Sequence, residues 1–336
     1  MKRIIFFLLT MIFCSKIYGQ SNYFSYDTII KGDEFSFPIF FSSSDSLIPE
    51  KTNQFLQLSE LNLLRGFENK DIFEVITLND GSVYGGNTSI SFEVNNDDNK
   101  VLSLGFFESS YGANSNYWSV YYNFNSGNGN LIQLKDLFTK EGFKTFAISV
   151  YKKRILHLSK ELKKLKKAER EEFNEVLDNY RSDDLRDFYI KDTTIFIDGN
   201  NCFRKNIKFS EVKRIDSINL NDFKDYLNDY GKCLFSINQD SIGKYHSNEL
   251  PQLFRGNIAD RKIILVLNGS PNEILGVYAY LKYGRGISLE GKLENNMLTL
   301  MEMNPNYETV ASIYAKYDGK QIIGTWSNIE KTKTYP

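Results

Sequence analysis

The chain has 336 residues, with 41 Lys and Arg against 42 Asp and Glu, a formal net charge of -1 and 15% aromatic residues. So balanced a chain has no global field to steer it onto nucleic acid or an anionic membrane, and no nucleic-acid partner is expected. It carries only two histidines, His157 and His246, far apart in sequence, so a multi-imidazole metal site would have to recruit both; no metal and no cofactor is expected.

Met1–Gly19 has the layout of a secretory signal peptide. Lys2 and Arg3 give the positive start, Ile4 to Phe13 is apolar but for Thr10, and Gly19 precedes a plausible cut before Gln20-Ser21. The apolar run is too short for a bilayer, which needs roughly 20 residues. The mature chain is therefore expected to be exported, periplasmic or secreted, with no transmembrane segment and no access to cytosolic ATP or nicotinamide pools. Cys14 lies inside the apolar run behind the bulky Phe13, so no lipid anchor is expected there.

Length and composition suggest about two domains after the signal peptide, at roughly 150 residues each. Residues 20–70 read as an N-terminal extension, serine-rich at Ser42-Ser43-Ser44, with a short strand at Phe35–Phe41. Residues 71–240 read as an α+β domain. Phe73–Leu78, Thr88–Val94, Val101–Phe107, Tyr117–Phe124 and Leu131–Leu134 alternate, separated by Asn79-Asp80-Gly81, Asn95–Asn99 and Asn125–Asn130, which is the spacing of an antiparallel meander. Ile148, Tyr151, Ile155, Leu158, Leu162 and Leu165 then recur at three and four, with lysines between them. This predicts one bent helix or two helices over Phe143–Tyr180, with a break near Ala168. Strands return at Asp187–Ile197 and near Ile207–Phe209, and Asn219 or Asn221 caps a helix over Asp222–Asn228 closed by Gly231.

Residues 241–336 change character. Eight candidate strands follow without a helix, at Leu253–Ala259, Lys262–Leu267, Glu273–Tyr283, Ile287–Leu293, Met297–Met303, Thr309–Tyr317, Gln321–Ser327 and Lys331–Tyr335. Even spacing and short turns point to a small up-and-down barrel or sandwich. Gly276, Gly291 and Gly324 fall inside these strands, where glycine permits sharp curvature or a bulge.

Few residues single themselves out chemically. The lysine-rich run from Lys152 to Lys167 shares its segment with the apolar stripe and reads as the solvated face of a helix. Asn95–Asn99 resembles a calcium loop in composition only, because Lys100 and Phe106 stand where that loop needs glycine and glutamate. His246 reads as a linker residue ahead of Pro251. Cys202 and Cys233 are the two mature cysteines. In an oxidising compartment they either form a disulfide, worth roughly 3 kcal/mol for a loop of about 30 residues, or remain two buried thiols. Glu302 is the most informative carboxylate. By period two it shares a face with Leu298 and Leu300, so a barrel would bury it, with Tyr278, Tyr280 or Trp326 Nε1 as partner and these four as a candidate ligand site. No catalytic residue is assigned.

Tyr111-Gly112-Ala113 and the run Tyr121-Tyr122-Asn123-Phe124-Asn125-Ser126-Gly127-Asn128-Gly129-Asn130-Leu131-Ile132-Gln133-Leu134-Lys135-Asp136-Leu137-Phe138 resemble a bacterial extracellular domain of unknown function. That domain forms the outer part of lysozyme-sensing anti-sigma factors and also accompanies some peptidoglycan deacetylases. The resemblance covers about Ile72–Phe235 and implies an α+β module that binds a protein or a wall component, with no catalytic residues carried over. Asn114 stands where the family's histidine is expected, which puts that residue's role in doubt here. The last domain, with Gly276-Val277-Tyr278-Ala279-Tyr280, Ile287–Gly291 and Gly324-Thr325-Trp326, looks like a small all-β module of exported Bacteroidetes-type proteins.

The expected function is that of an exported, non-enzymatic binding or sensing protein of the cell envelope, with a protein or wall glycan as partner. The alternative is a hydrolase of envelope polymer that uses two carboxylates as acid and base.

Overall fold

A computed structural model describes residues 23–43, 45–67, 71–77, 86–111, 115–164, 170, 173–203, 214–247, 249–270, 272–304 and 306–336. Met1–Gly19 with Cys14, Asn114, and the expected turn at Asn79–Gly81, break near Ala168 and strand near Ile207–Phe209 lie outside the described residues.

A hairpin of β1 (Ser25–Lys31) and β2 (Phe35–Phe41) opens the described chain, turning at Gly32 with φ +62°. It joins the meander β3 (Asn87–Asp97), β4 (Val101–Tyr111) and β5 (Ser115–Asn125) through one parallel bridge, Phe35 to Ile90, to give a five-stranded sheet ordered β1-β2-β3-β4-β5.

Two local expectations fail nearby, each for a physical reason. α1 (Leu47–Leu61) is a helix without an apolar stripe: Thr52, Asn53, Gln54, Gln57 and Glu60 are buried alongside Phe55, Leu56, Leu58 and Leu61. It is covered on both sides, since one core cluster joins Phe37, Phe55 and Phe106 to Ile264, Val266 and Ala279 of the C-terminal sheet. Asn53 replaces lost water by bonding the β2 backbone, accepting from Phe40 N at 2.9 Å and donating to Phe40 O at 2.8 Å. The alternating Phe73–Leu78 segment is not a strand in its described part but a single helical turn, α2 (Glu74–Thr77), started by Asp71 Oδ1 accepting from Phe73 N at 2.9 Å. Ile72 and Phe73, just ahead of the turn, are buried in the α1 core.

Beyond β5 the chain forms α3 (Lys140–Leu162), capped by Thr139, and a further helix, Asn174–Ser182, so the described residues of the expected helical region fall in more than one helix. The buried stripe of α3 is Phe146, Val150, Arg154 and Leu158, rotated from the expected one; Ile148 is 53% exposed. Arg154 therefore belongs to the core and not to the solvated basic face. β6 (Phe188–Lys191), β7 (Thr194–Asp198) and β8 (Ile215–Asn219) make a three-stranded antiparallel sheet. It docks on β4 and β5 through Asn123 Nδ2 to Phe188 O at 2.9 Å and Ile190 N to Ser103 Oγ at 3.1 Å. Asn219 caps a short helix, Leu220–Phe223, and Asn228 caps another, Asp229–Leu234. Gly231 lies within the latter instead of ending it, because Leu137 O would sit 2.2 Å from any Cβ placed there.

All eight C-terminal strands are present. β9 (Gln252–Ile258), β10 (Arg261–Ser270), β11 (Glu273–Tyr280), β12 (Ile287–Glu294), β13 (Met297–Met303), β14 (Thr309–Tyr317), β15 (Ile322–Asn328) and β16 (Thr334–Tyr335) form one antiparallel meander in chain order. The sheet curls into a half-barrel whose edge strands do not pair as a ladder. Its concave face packs Leu267, Ile274, Tyr278, Leu289, Leu298 and Leu300 together, while Ile264 and Val266 on the other face of β10 join the α1 core. The curl brings neighbouring backbones into the space a side chain would need. A Cβ on Gly291 would lie 1.9 Å from Thr299 O, and one on Gly324 2.2 Å from Tyr314 O. Among the described residues no helix is long and apolar enough to cross a membrane.

Candidate functional site

The half-barrel gathers the four residues singled out in the sequence. Glu302 Oε2 accepts from Tyr278 Oη at 2.8 Å and from Trp326 Nε1 at 2.9 Å, and Tyr280 packs edge-on against Tyr278 with ring centroids 5.5 Å apart. Period two places these side chains on the concave face: Tyr278 and Tyr280 on β11, Glu302 on β13, Trp326 on β15. Each donor stands two strands from Glu302, on opposite sides, so one carboxylate oxygen ties three strands together across a span of five. Both donors thus share one acceptor oxygen. Burial, followed by the adjoining Glu302 charge, drives the Tyr278 hydroxyl well above the usual phenol range, so it stays a donor. Tyr280 is raised as well, first by burial.

This trio separates two hollows. On one side a cavity of about 450 Å³ lies between β9 and β15, walled by Phe254, Ile263, Leu265, Leu300, Ile313 and Trp326. Its size is that of a small-molecule site and its lining is predominantly apolar. On the other side a cleft of about 620 Å³ is bounded by Glu302, Tyr280, Arg285 and Asn87.

The second cleft leads to a buried carboxylate pair that sequence reasoning did not select. Asn87 Nδ2 donates to Glu108 Oε2 at 2.6 Å, Glu108 is hydrogen-bonded to Glu60, and Tyr122 Oη donates to Glu60 Oε1. Burial first, and then the neighbouring Glu108 carboxylate, push Glu60 well above the ordinary carboxylate range; burial also raises Glu108. The signal for Glu108 was the same as for Glu302, a carboxylate in phase with Leu104 and Phe106 on a strand. Glu60 had no such signal, because α1 has no apolar stripe to set a phase.

The remaining candidates do not converge on either hollow. Cys202 and Cys233 are buried free thiols in two different core clusters and are not brought together. Burial raises both, Cys202 to about 12, so neither is a thiolate nucleophile at neutral pH. His157 Nδ1 lies 3.7 Å from Asp216 Oδ1 beside Arg154, and His246 Nδ1 is bonded to Asn130 Nδ2 at 2.7 Å. Among the described residues no cluster of three or more His, Cys, Asp or Glu is arranged to hold a metal ion.

Fold and site together define a mixed α+β protein with a curled, eight-stranded antiparallel half-barrel at its C-terminal end. No family model matches the chain, and neither does any curated protein. Among solved structures, a DUF3298 family member from Bacteroides fragilis is similar at a TM-score of 0.44 and 12% identity, over 63% of this chain and 96% of that one.

Proposed function

We propose that this protein is an exported, non-enzymatic binding protein of the cell envelope whose ligand seat is the concave side of the half-barrel. The observation that carries this reading is the apolar cavity of about 450 Å³ with Trp326 in its wall. The indole's one polar atom is already satisfied by Glu302 at 2.9 Å, so the ring presents apolar surface to an occupant. The sequence resemblance to the outer domain of lysozyme-sensing anti-sigma factors supports the envelope setting and makes a protein or wall component the partner class of the α+β part. Glu302 is engaged by two donors, and Glu60 and Glu108 are bonded to each other, which is the pattern of structural carboxylates and not of an acid and base facing a substrate across water.

The test is equilibrium titration of the full chain with the neutral apolar dye N-phenyl-1-naphthylamine. Saturable one-to-one binding that is lost on filling the cavity with Ile322→Trp supports the reading. Absence of saturable binding overturns it, as would release of soluble fragments from peptidoglycan that Glu302→Gln abolishes.

A further inference from the structure

A further hollow lies elsewhere among the described residues. A cleft of about 710 Å³ lies where α1, the turn after β5 and the approach to β9 meet; among the described residues no carboxylate lines it, whereas Lys51, Lys244, His246 and Lys320 do. It adjoins the apolar half-barrel cavity, and Leu253, Phe254 and Lys320 line both.

Lys51 is the key residue. It is half-buried, and its Nζ bonds only neutral oxygens, Asn130 Oδ1 and Asn128 O, the latter at 3.3 Å. Among the described residues no carboxylate lies within 4.0 Å of Lys51, Arg255 or Lys320, while Lys244 is paired with Asp240 at 2.7 Å. Burial, and then the nearby Arg255 guanidinium, lower the Lys51 pKa: two cations share a desolvated place without a counter-charge. The Lys51 bond also fixes the Asn130 amide, whose Nδ2 then faces His246 Nδ1 at 2.7 Å. His246 must accept there, which leaves its Nε2–H as a further donor.

Resting on the cavity reading above, we propose that the bound molecule is an anionic amphiphile, with its hydrocarbon chain between β9 and β15 and its oxyanion head in the cleft lined by Lys51 and Lys320, beside Arg255 of the adjoining cavity wall. An apolar cavity beside uncompensated cations matches both ends of such a molecule, and a head group there meets charge-assisted donors. The shared head chemistry is a carboxylate or a phosphate monoester.

The experiment compares dodecanoate, dodecyl phosphate, dodecanol and acetate, each below its aggregation threshold, by calorimetric titration of the full chain at low ionic strength. Saturable binding of either anionic dodecyl compound, at least tenfold tighter than dodecanol and absent for acetate, supports the proposal; which of the two binds tighter identifies the head. Lys51→Met and the exposed Lys320→Ala should each weaken the anionic compounds tenfold or more and leave dodecanol unchanged, and the surface variant Lys163→Ala should change nothing. Equal binding of dodecanol and dodecanoate overturns the anionic head while leaving the cavity reading intact. Failure of all dodecyl compounds overturns both. Anionic binding that survives Lys320→Ala and Lys51→Met in folded protein also overturns the proposal.

Discussion

Glu302 Oε2 lies 2.9 Å from Trp326 Nε1, although β14 runs between their strands. In a flat sheet strands two apart are separated by about 9.5 Å, too far for this contact without curvature toward a shared face. With Tyr278 reaching the same oxygen from the other side, the carboxylate works as a polar tie across the concave face. Replacing Glu302 with Leu leaves both donors without a partner. The expected loss is about 2–6 kcal/mol in urea unfolding, from a desolvation cost of about 1–3 kcal/mol for each of the two unsatisfied groups. Glu302→Gln retains an acceptor and should lose about half as much. Equal losses in the two variants would contradict the tie.

Arg154 forms the other buried tie. Its Nε donates to Asp216 Oδ2 at 2.9 Å and its Nη1 to Asp183, with all three side chains 2% exposed. The guanidinium also lies over the Tyr180 ring at 5.1 Å. Removing it strands two buried carboxylates, so Arg154→Met should destabilise by about 3–5 kcal/mol. Arg154→Lys should recover little, because an ammonium cannot serve two carboxylates with the same fixed fork. Thermal unfolding of both variants measures this.

Strand glycines set the curl. Adding a methyl at Gly291 or Gly324 forces backbone to move, since the nearest carbonyl oxygens lie at 1.9 and 2.2 Å from the new carbon. Gly291→Ala and Gly324→Ala should each cost about 1–3 kcal/mol. Gly256, whose Cβ would meet nothing within 4 Å, is the contrast: Gly256→Ala should be nearly neutral in the same unfolding assay.

The Glu60–Glu108 pair predicts the direction of pH dependence. Both groups are raised above the ordinary value of 4.5, so their contribution is fully present below that pH and is lost as pH rises through the folded-state values. Asp136 and Asp187, each pushed up to about 6 chiefly by burial, add the same sign between about 3.8 and 6. Urea midpoints should therefore fall from pH 5 to pH 8, and Glu60→Gln should flatten that slope. A midpoint that rises over this range, or an unchanged slope in the variant, would contradict the assignment.

How much of this was legible in the sequence depended on whether a period was present. The half-barrel strands alternate cleanly because one face of most of them meets the concave core, and that same alternation located Glu302 and its partners Tyr278 and Trp326. α1 was invisible because Gln57 and Glu60 are buried with Leu58 and Leu61, so no hydrophobic stripe marks it. The α3 stripe was found but rotated: Arg154 counted as solvated by residue type, and only the convergence of Asp183 and Asp216 from distant segments makes its burial tolerable. The cation cleft shows the same limit, since Lys51, Lys320 and Arg255 come from three elements and no local pattern joins them.

The central claim is that the half-barrel cavity seats an apolar ligand beside Trp326. In the variant Trp118→Phe, Trp326 is the sole indole, and energy transfer from it to bound N-phenyl-1-naphthylamine reports both binding and place. Transfer is expected to saturate at one dye per chain, and dye binding is expected to disappear when Ile322→Trp fills the cavity, a variant followed by dye fluorescence alone because it adds an indole of its own. Dye binding without quenching of Trp326, or no saturable binding at all, would contradict it.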